Sequence, residues 1–359
     1  MAQILPFSAP LHRQPRDQTR AALIESFASH RRGLEDVFWL KENAELLNIL
    51  ECTGTALRPG ALAPLAAFYE GAARHVSFFR QYYRFILSIC LDLEDLGLEG
   101  AGGGQGAQIA EWVAAQGLAG AELSDLQRAE ARRLLARRGV ALRDAGLDDR
   151  LRRFTARPQT FAIPNKKAAY ELTHIVFYLS EYGRRCPDLP PESVTSLEFA
   201  GLIAFLDQDA DLLAEVCIAL RYAGAEPPAA WEAWLQRQLL AYTIVKGDLS
   251  GLHDAYHEYF VVNWQAAVAG GAPFVQPVPG GPLRIPPRQG GSILRPLSQA
   301  LFEAGGPPRS LAALKARVEA ALEPAESNLL AAAERSCACF GRFFEGFARA
   351  GSAAMDGAA

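Results

Sequence analysis

Residues 164–185 read P-N-K-K-A-A-Y-E-L-T-H-I-V-F-Y-L-S-E-Y-G-R-R, and the spacing of their side chains decides the fold class. At roughly 100° per residue, Leu172, Ile175, Val176 and Leu179 fall on one apolar face. Asn165, just after a proline, is a good acceptor for the free N–H groups of a first turn. Gly183 can close the helix in a left-handed turn, with Arg184 and Arg185 at the negative end of its dipole. The pattern therefore predicts one helix across the whole stretch. Beside the apolar face runs a second stripe, Glu171, His174, Tyr178 and Glu181, the most chemically dense line in the chain.

Working outward, the same helical grammar recurs. Amphipathic runs cover about 19–32 and 34–52. A long aromatic-rich segment spans 64–96, with a break allowed near Gly71. Two further helices are expected at 193–206 and 209–223, and others at about 229–246 and 251–268, the last capped by Ser250. Short turns between helices of this length are the signature of antiparallel pairs. E-L-L-N-I-L-E-C-T-G near residue 45 and D-L-L-A-E-V-C-I-A-L-R-Y-A-G near 211 are alike, as repeated hairpins would be. No run of β-branched residues alternates at period two. The expected class is all-α, packed antiparallel helical hairpins, with an α/α toroid as its more specific form.

The expected organisation has an extended or disordered arm at 1–18, a helical-hairpin body at 19–268 and a helical segment at 310–348. A Pro/Gly-rich lid or tether at 269–309 joins the last two, and a disordered tail occupies 349–359. The glycine-rich stretch at 97–107 reads as a linker within the body. No G-K-[ST] follows it and an acidic helical run precedes it, so neither phosphate-binding fingerprint has its context.

With half its residues apolar and 21% charged, the chain has the composition of a soluble globular protein. A net charge of −4 gives no general attraction to nucleic acid or anionic lipid. The arginine cluster at 128–157 is interleaved with acids and reads as a solvated helix face. No apolar run is long enough to span a bilayer, and the N-terminus lacks a secretory pattern. The six cysteines form no C-x-x-C, and reduced thiols in a cytoplasmic protein are expected. Cys337-x-Cys339 is too short for the usual zinc spacing.

Chemistry concentrates at two places. His253 and His257 lie four residues apart, which on a helix places both imidazoles on one face about 6 Å apart. They could share a divalent metal such as zinc or iron, with His174 or Glu171 completing the set from another helix. The other reading makes them cavity-wall histidines capping tyrosine or carboxylate partners. Glu171, His174 and Tyr178 form a candidate catalytic group in which flanking carboxylates hold the histidine ready for proton transfer. The competing reading is a buried hydrogen-bond network that locks helix packing. Asp207, Asp209 and Asp211 lack the glycine of a calcium loop and fit helix-start acids better.

Tyr170-Glu171-Leu172-Thr173-His174 with Phe177-Tyr178 and a closing Tyr182-Gly183 resembles the E-L-T-H-x-x-F-Y helix of uncharacterised bacterial domain-of-unknown-function proteins. Asp209-x-Asp211-Leu212-Leu213-x-Glu215 and the later histidine helix follow in similar order, so the likeness covers about 165–265. It implies a hairpin-repeat body with Glu171, His174 and Asp211 or Glu215 near one cavity, and supplies no reaction. Two functions remain open. One is an enzyme of bacterial secondary or peptide metabolism, acting on a small organic or peptide substrate in a His/Glu/Tyr cavity. The other is a non-catalytic scaffold for a protein partner, a component of a larger assembly. Neither nucleic acid nor membrane is an expected partner.

Overall fold

The computed structural model describes residues 15–101, 104–247, 254–288, 290–303 and 311–348. Most of the expected arm at 1–18, the tail at 349–359, the Ser250 cap and His253 lie outside them.

The chain enters through α1 (Arg16–Ser29) and α2 (Val37–Cys52), then α3 (Ala66–Phe78), α4 (Tyr83–Asp95) and α5 (Gln105–Ala115). Next come α6 (Asp125–Ala136), α7 (Leu147–Thr155), the single turn α8 (Pro158–Phe161) and α9 (Lys166–Leu179). α10 (Pro191–Asp207), α11 (Ala210–Tyr222), α12 (Ala229–Ala241) and α13 (Tyr256–Val268) complete the body. α14 (Leu294–Glu303), α15 (Leu311–Ala321), α16 (Pro324–Ser336) and α17 (Phe340–Phe347) follow. The only sheet among the described residues is a two-residue antiparallel ladder, β1 (Val245–Lys246) on β2 (Leu283–Arg284). The all-α class holds.

Local chemistry sets the helix starts. Asp36, Ser124, Asn165 and Asp209 each accept a backbone N–H of the first turn with their side chains. Pro191 and Pro324 sit at first helical positions, where the missing N–H is harmless.

Several boundaries differ from expectation: the helix expected at 229–246 ends at Ala241 and Val245–Lys246 pair as β1, and α13 begins only at Tyr256. The 64–96 segment breaks at Phe79, and Gly71 lies undisturbed inside α3. α9 stops at Leu179, and Glu181, Tyr182 and Gly183 all take positive φ. Tertiary contacts pull the chain away there. Glu181 pairs with Arg133 of α6 at 3.0 Å, and the Arg133 guanidinium lies 4.5 Å over the Tyr182 ring. Gly183 is needed twice over, for its φ of +83° and because a Cβ would come within 2.5 Å of Tyr222.

One set of helices packs in cyclic order: α2 on α4, α4 on α6, α6 on α9, α9 on α11, α11 on α13, and α13 back on α2. The alternate helices lie against them: α1 on α2, α3 and α5 on α4, α7 on α6 and α9, α10 on α9 and α11, α12 on α11 and α13. α11 carries an unbroken buried run from Leu212 to Leu220 because it is covered by α9, α10, α12 and α13.

Between α13 and α14 the chain lies on the body, burying Phe274, Val278, Leu283, Ile285 and Ile293. Arg31 anchors it. Its buried guanidinium donates to the Leu283 carbonyl at 2.8 Å and meets Glu42 and Asp254. The arginine cluster is not simply a solvated face. Arg137 pairs with Asp92 and Asp95, Arg138 with Glu94 and Asp95, and Arg150 with Asp125 and Asp144, so much of its charge ties neighbouring elements together.

Candidate site of histidines and carboxylates

Where the cyclic set meets, polar side chains from four of its helices come together. Asp211 and Glu215 stand one turn apart on α11, as i and i+4 spacing requires. His257, in the first turn of α13, lies between carboxylates. Its Nδ1 is 3.2 Å from Glu45 Oε2 of α2, and its Nε2 is 3.5 Å from Asp211 Oδ2. On the other flank, His174 of α9 places Nδ1 3.4 Å from Glu215 Oε2. The two histidines therefore address the same acidic pair from opposite sides.

Each charged group has a fixed neighbour. The Thr173 hydroxyl donates to Glu215, and the Tyr170 hydroxyl donates to Asp211 Oδ2 at 3.0 Å. His174 Nδ1 lies 2.8 Å from the Tyr170 carbonyl. A carbonyl only accepts, so Nδ1 carries the proton and Nε2 is the open nitrogen. Nε2 has no hydrogen-bond partner among the described residues. Glu215 is sealed at 2% side-chain exposure, but His174 and His257 each keep about a third of their side-chain surface accessible (34% and 33%). Solvent therefore reaches both imidazoles where the four helices meet.

Electrostatics follow from that geometry. Burial would by itself favour a neutral His174, but Glu215, and then the Tyr170 carbonyl, hold its pKa up at about 9. For His257, burial is again opposed, by Glu45 and then Asp211, and the pKa is pushed up to about 10. Asp211 is raised from the usual carboxylate range, first by burial; His257 pulls the other way, and Glu215 and Asp209 add repulsion.

The remaining candidates separate. Tyr178 is buried with its ring centroid 5.9 Å from that of His174 in an edge-on contact, and burial, then Glu130, keep its hydroxyl protonated. Glu171 lines a different groove of about 250 Å³, with Asp125, Arg150, Phe154 and Arg157. The residues that orient His174 are Tyr170, Thr173 and Glu215. Glu181 is taken up by Arg133. Asp207 and Asp209 hold Lys166 at 3.0 and 2.8 Å. His253 lies outside the described residues. Glu45 was missed in the sequence, where nothing in E-L-L-N sets it apart from an ordinary helix-surface acid.

Donor atoms that could hold a metal occur in two groups among the described residues: Asp211, Glu215 and His257, and Glu198 with Cys337 and Cys339. Cys337 and Cys339 are free thiols with sulfurs 3.0 Å apart where α16 gives way to α17. No described helix is long and apolar enough to cross a membrane.

No curated protein and no solved structure matches this chain. One family does: its sequence pattern matches residues 1–350. The chain belongs to the family described as a domain of unknown function, DUF6902.

Proposed function

We propose that this protein is an enzyme whose well between α2, α9, α11 and α13 takes a small organic or peptide substrate. The reading places it in bacterial secondary or peptide metabolism, in the cytoplasm. The cyclic helix order supports the finer architecture, an α/α toroid with the well at its centre. His174 handles the proton. Its ring is fixed through Nδ1 by the Tyr170 carbonyl, and Nε2 is turned to whatever enters. Glu215, held by Thr173, is the orienting carboxylate, and Tyr178 is a packing wall beside the ring. The single observation that carries the reading is the convergence of His174 and His257, from helices distant in sequence, on the Asp211–Glu215 pair. A network serving only to lock helices has no need of a part-exposed imidazole whose Nε2 has no partner among the described residues.

The test is a metabolite and short-peptide library screened by thermal shift against the full chain and His174→Ala. Expected are ligands that raise the Tm of the wild type and not of the variant, both having the same circular dichroism spectrum. Ligands that stabilise the two proteins equally would overturn the reading.

A second reading, a scaffold for a protein partner, has its own observation. Leu34 and Phe79 are exposed and line a groove of about 640 Å³ between the starts of α2 and α4, and the exposed Phe78 ring meets Phe79 edge-on. Recovery of a stoichiometric partner that is lost on Leu34→Ser and Phe79→Ser, with no small-molecule hit, would favour it.

A further inference from the structure

We infer that Asp211, Glu215 and His257 form a binding site for one first-row divalent cation (Mn²⁺, Fe²⁺ or Zn²⁺), with Glu45 as the carboxylate that orients the histidine. This deepens the proposed site and rests on the geometry of the side-chain cluster, not on any substrate.

The donor set comes first. One oxygen from each carboxylate and one imidazole nitrogen lie within 4.8 Å of one another. Ligands around such an ion at about 2.1 Å stand roughly 3–4 Å apart, and His257 Nε2 to Asp211 Oδ2 is already 3.5 Å. Two carboxylates suit a hard divalent ion, and the imidazole favours a first-row transition ion over magnesium or calcium.

The supporting shell comes second. A metal-binding histidine commonly gives its second nitrogen to a carboxylate, and metal-binding carboxylates are themselves hydrogen-bonded. Here Glu45 faces His257 Nδ1, Tyr170 donates to Asp211, and Thr173 donates to Glu215. Each donor is thus oriented from another helix, which is more than a chance cluster of acids supplies.

The third observation is what the protein leaves undone. Among the described residues, Asp211 Oδ1, Glu45 Oε2 and His257 Nδ1 are buried with no hydrogen-bond partner, the last two 3.2 Å apart but off the bonding line. Buried polar atoms are nearly always satisfied. A cation held by Asp211, Glu215 and His257 gives the stray carboxylate charge a partner, and a small movement of the ring lets Nδ1 donate to Glu45. His174 is outside this set because, in this cluster, the donor atoms that lie within 4.8 Å of one another are those of Asp211, Glu215 and His257 alone among the described residues.

The test uses the full chain, purified without chelator, then stripped and titrated with Zn²⁺ and Mn²⁺ by calorimetry, with elemental analysis of the dialysed complex. One equivalent bound with a rise in Tm is expected. Asp211→Asn, Glu215→Gln and His257→Ala should each weaken binding at least 100-fold, and Glu45→Gln by 10–100-fold. His174→Ala should bind metal as the wild type does, so loss of substrate binding in that variant and loss of metal in the others are separate failures. Should the ligand variants not fold, the wild-type titration and the visible spectrum of the Co²⁺ form decide, since imidazole and carboxylate ligation shows there. Retention below a tenth of an equivalent, or an affinity unchanged in Asp211→Asn and Glu215→Gln, overturns the inference and leaves the trio an ion-pair network.

Discussion

Arg31 and Glu42 form an ion pair closed off from water, Nε to Oε2 at 3.0 Å, with side chains 0% and 1% exposed. The same guanidinium lies 4.4 Å over the Phe27 ring and reaches Asp254 and the Leu283 carbonyl. Removing one partner of such a pair strands the other charge in a dry site. Glu42→Leu is expected to lower stability by about 3–5 kcal/mol in urea denaturation. It should also speed proteolysis in the 281–285 stretch that Arg31 anchors. A loss under about 1 kcal/mol would mean that Asp254 alone satisfies the arginine.

Asp92 of α4 is fully buried and accepts from Arg137 at 2.7 Å and from Ser88 at 3.2 Å. Burial raises its pKa to about 6 against the pull of Arg137. An unfolded aspartate titrates near 3.9. The folded chain thus holds this proton more tightly, and the stability it contributes is full below about pH 4 and lost as pH rises through about 6. Wild type should lose roughly 1–3 kcal/mol relative to Asp92→Asn between these limits. Urea curves taken across the window measure it, and a constant difference between the two proteins would refute the assignment.

Gly201 marks where α10 meets α12. A Cβ there would stand 2.3 Å from the buried Trp231 ring. That ring cannot slide freely, because its Nε1 donates to Ser336 Oγ of α16 at 3.0 Å. Gly201→Ala is expected to destabilise by about 1–3 kcal/mol through overpacking. Trp231→Phe in the same chain should recover part of the loss. If the double variant is less stable than the two single losses added together, steric conflict is the wrong explanation.

Thr173 is buried, and its hydroxyl donates to Glu215. Thr173→Val keeps the shape and removes the donor. The expected loss is about 1–3 kcal/mol, with a coupling to Glu215→Gln of about 1 kcal/mol in a double-mutant cycle. Additive single effects would show that the two groups do not depend on each other.

Much of this was legible in the sequence, and the reasons are local. Asn165 caps α9 because a side-chain acceptor one residue before a helix is a local matter, and the same holds for Asp209 and α11. The apolar face of α9 fixed its burial, and His174 followed from its place beside that face. What could not be read depends on partners far along the chain. Glu181 leaves the helix to meet Arg133, and Gly183 yields to Tyr222. Glu171 and His174 are neighbours on one helix, yet they face different elements, since a rotation of three residues is enough to separate the α7 groove from α11. Glu45 is an ordinary acid until α13 is brought against α2.

That last packing has a consequence for how the molecule comes into being. The helix carrying Glu45 is among the earliest made, and the helix carrying His257 is the last to join the circuit. A nascent chain halted before α13 would have most of its wall and an open seam, with Glu45 and Asp211 facing a missing neighbour. The cluster of histidines and carboxylates is complete only once the two ends of the body's sequence have found each other, so a half-synthesised copy lacks it.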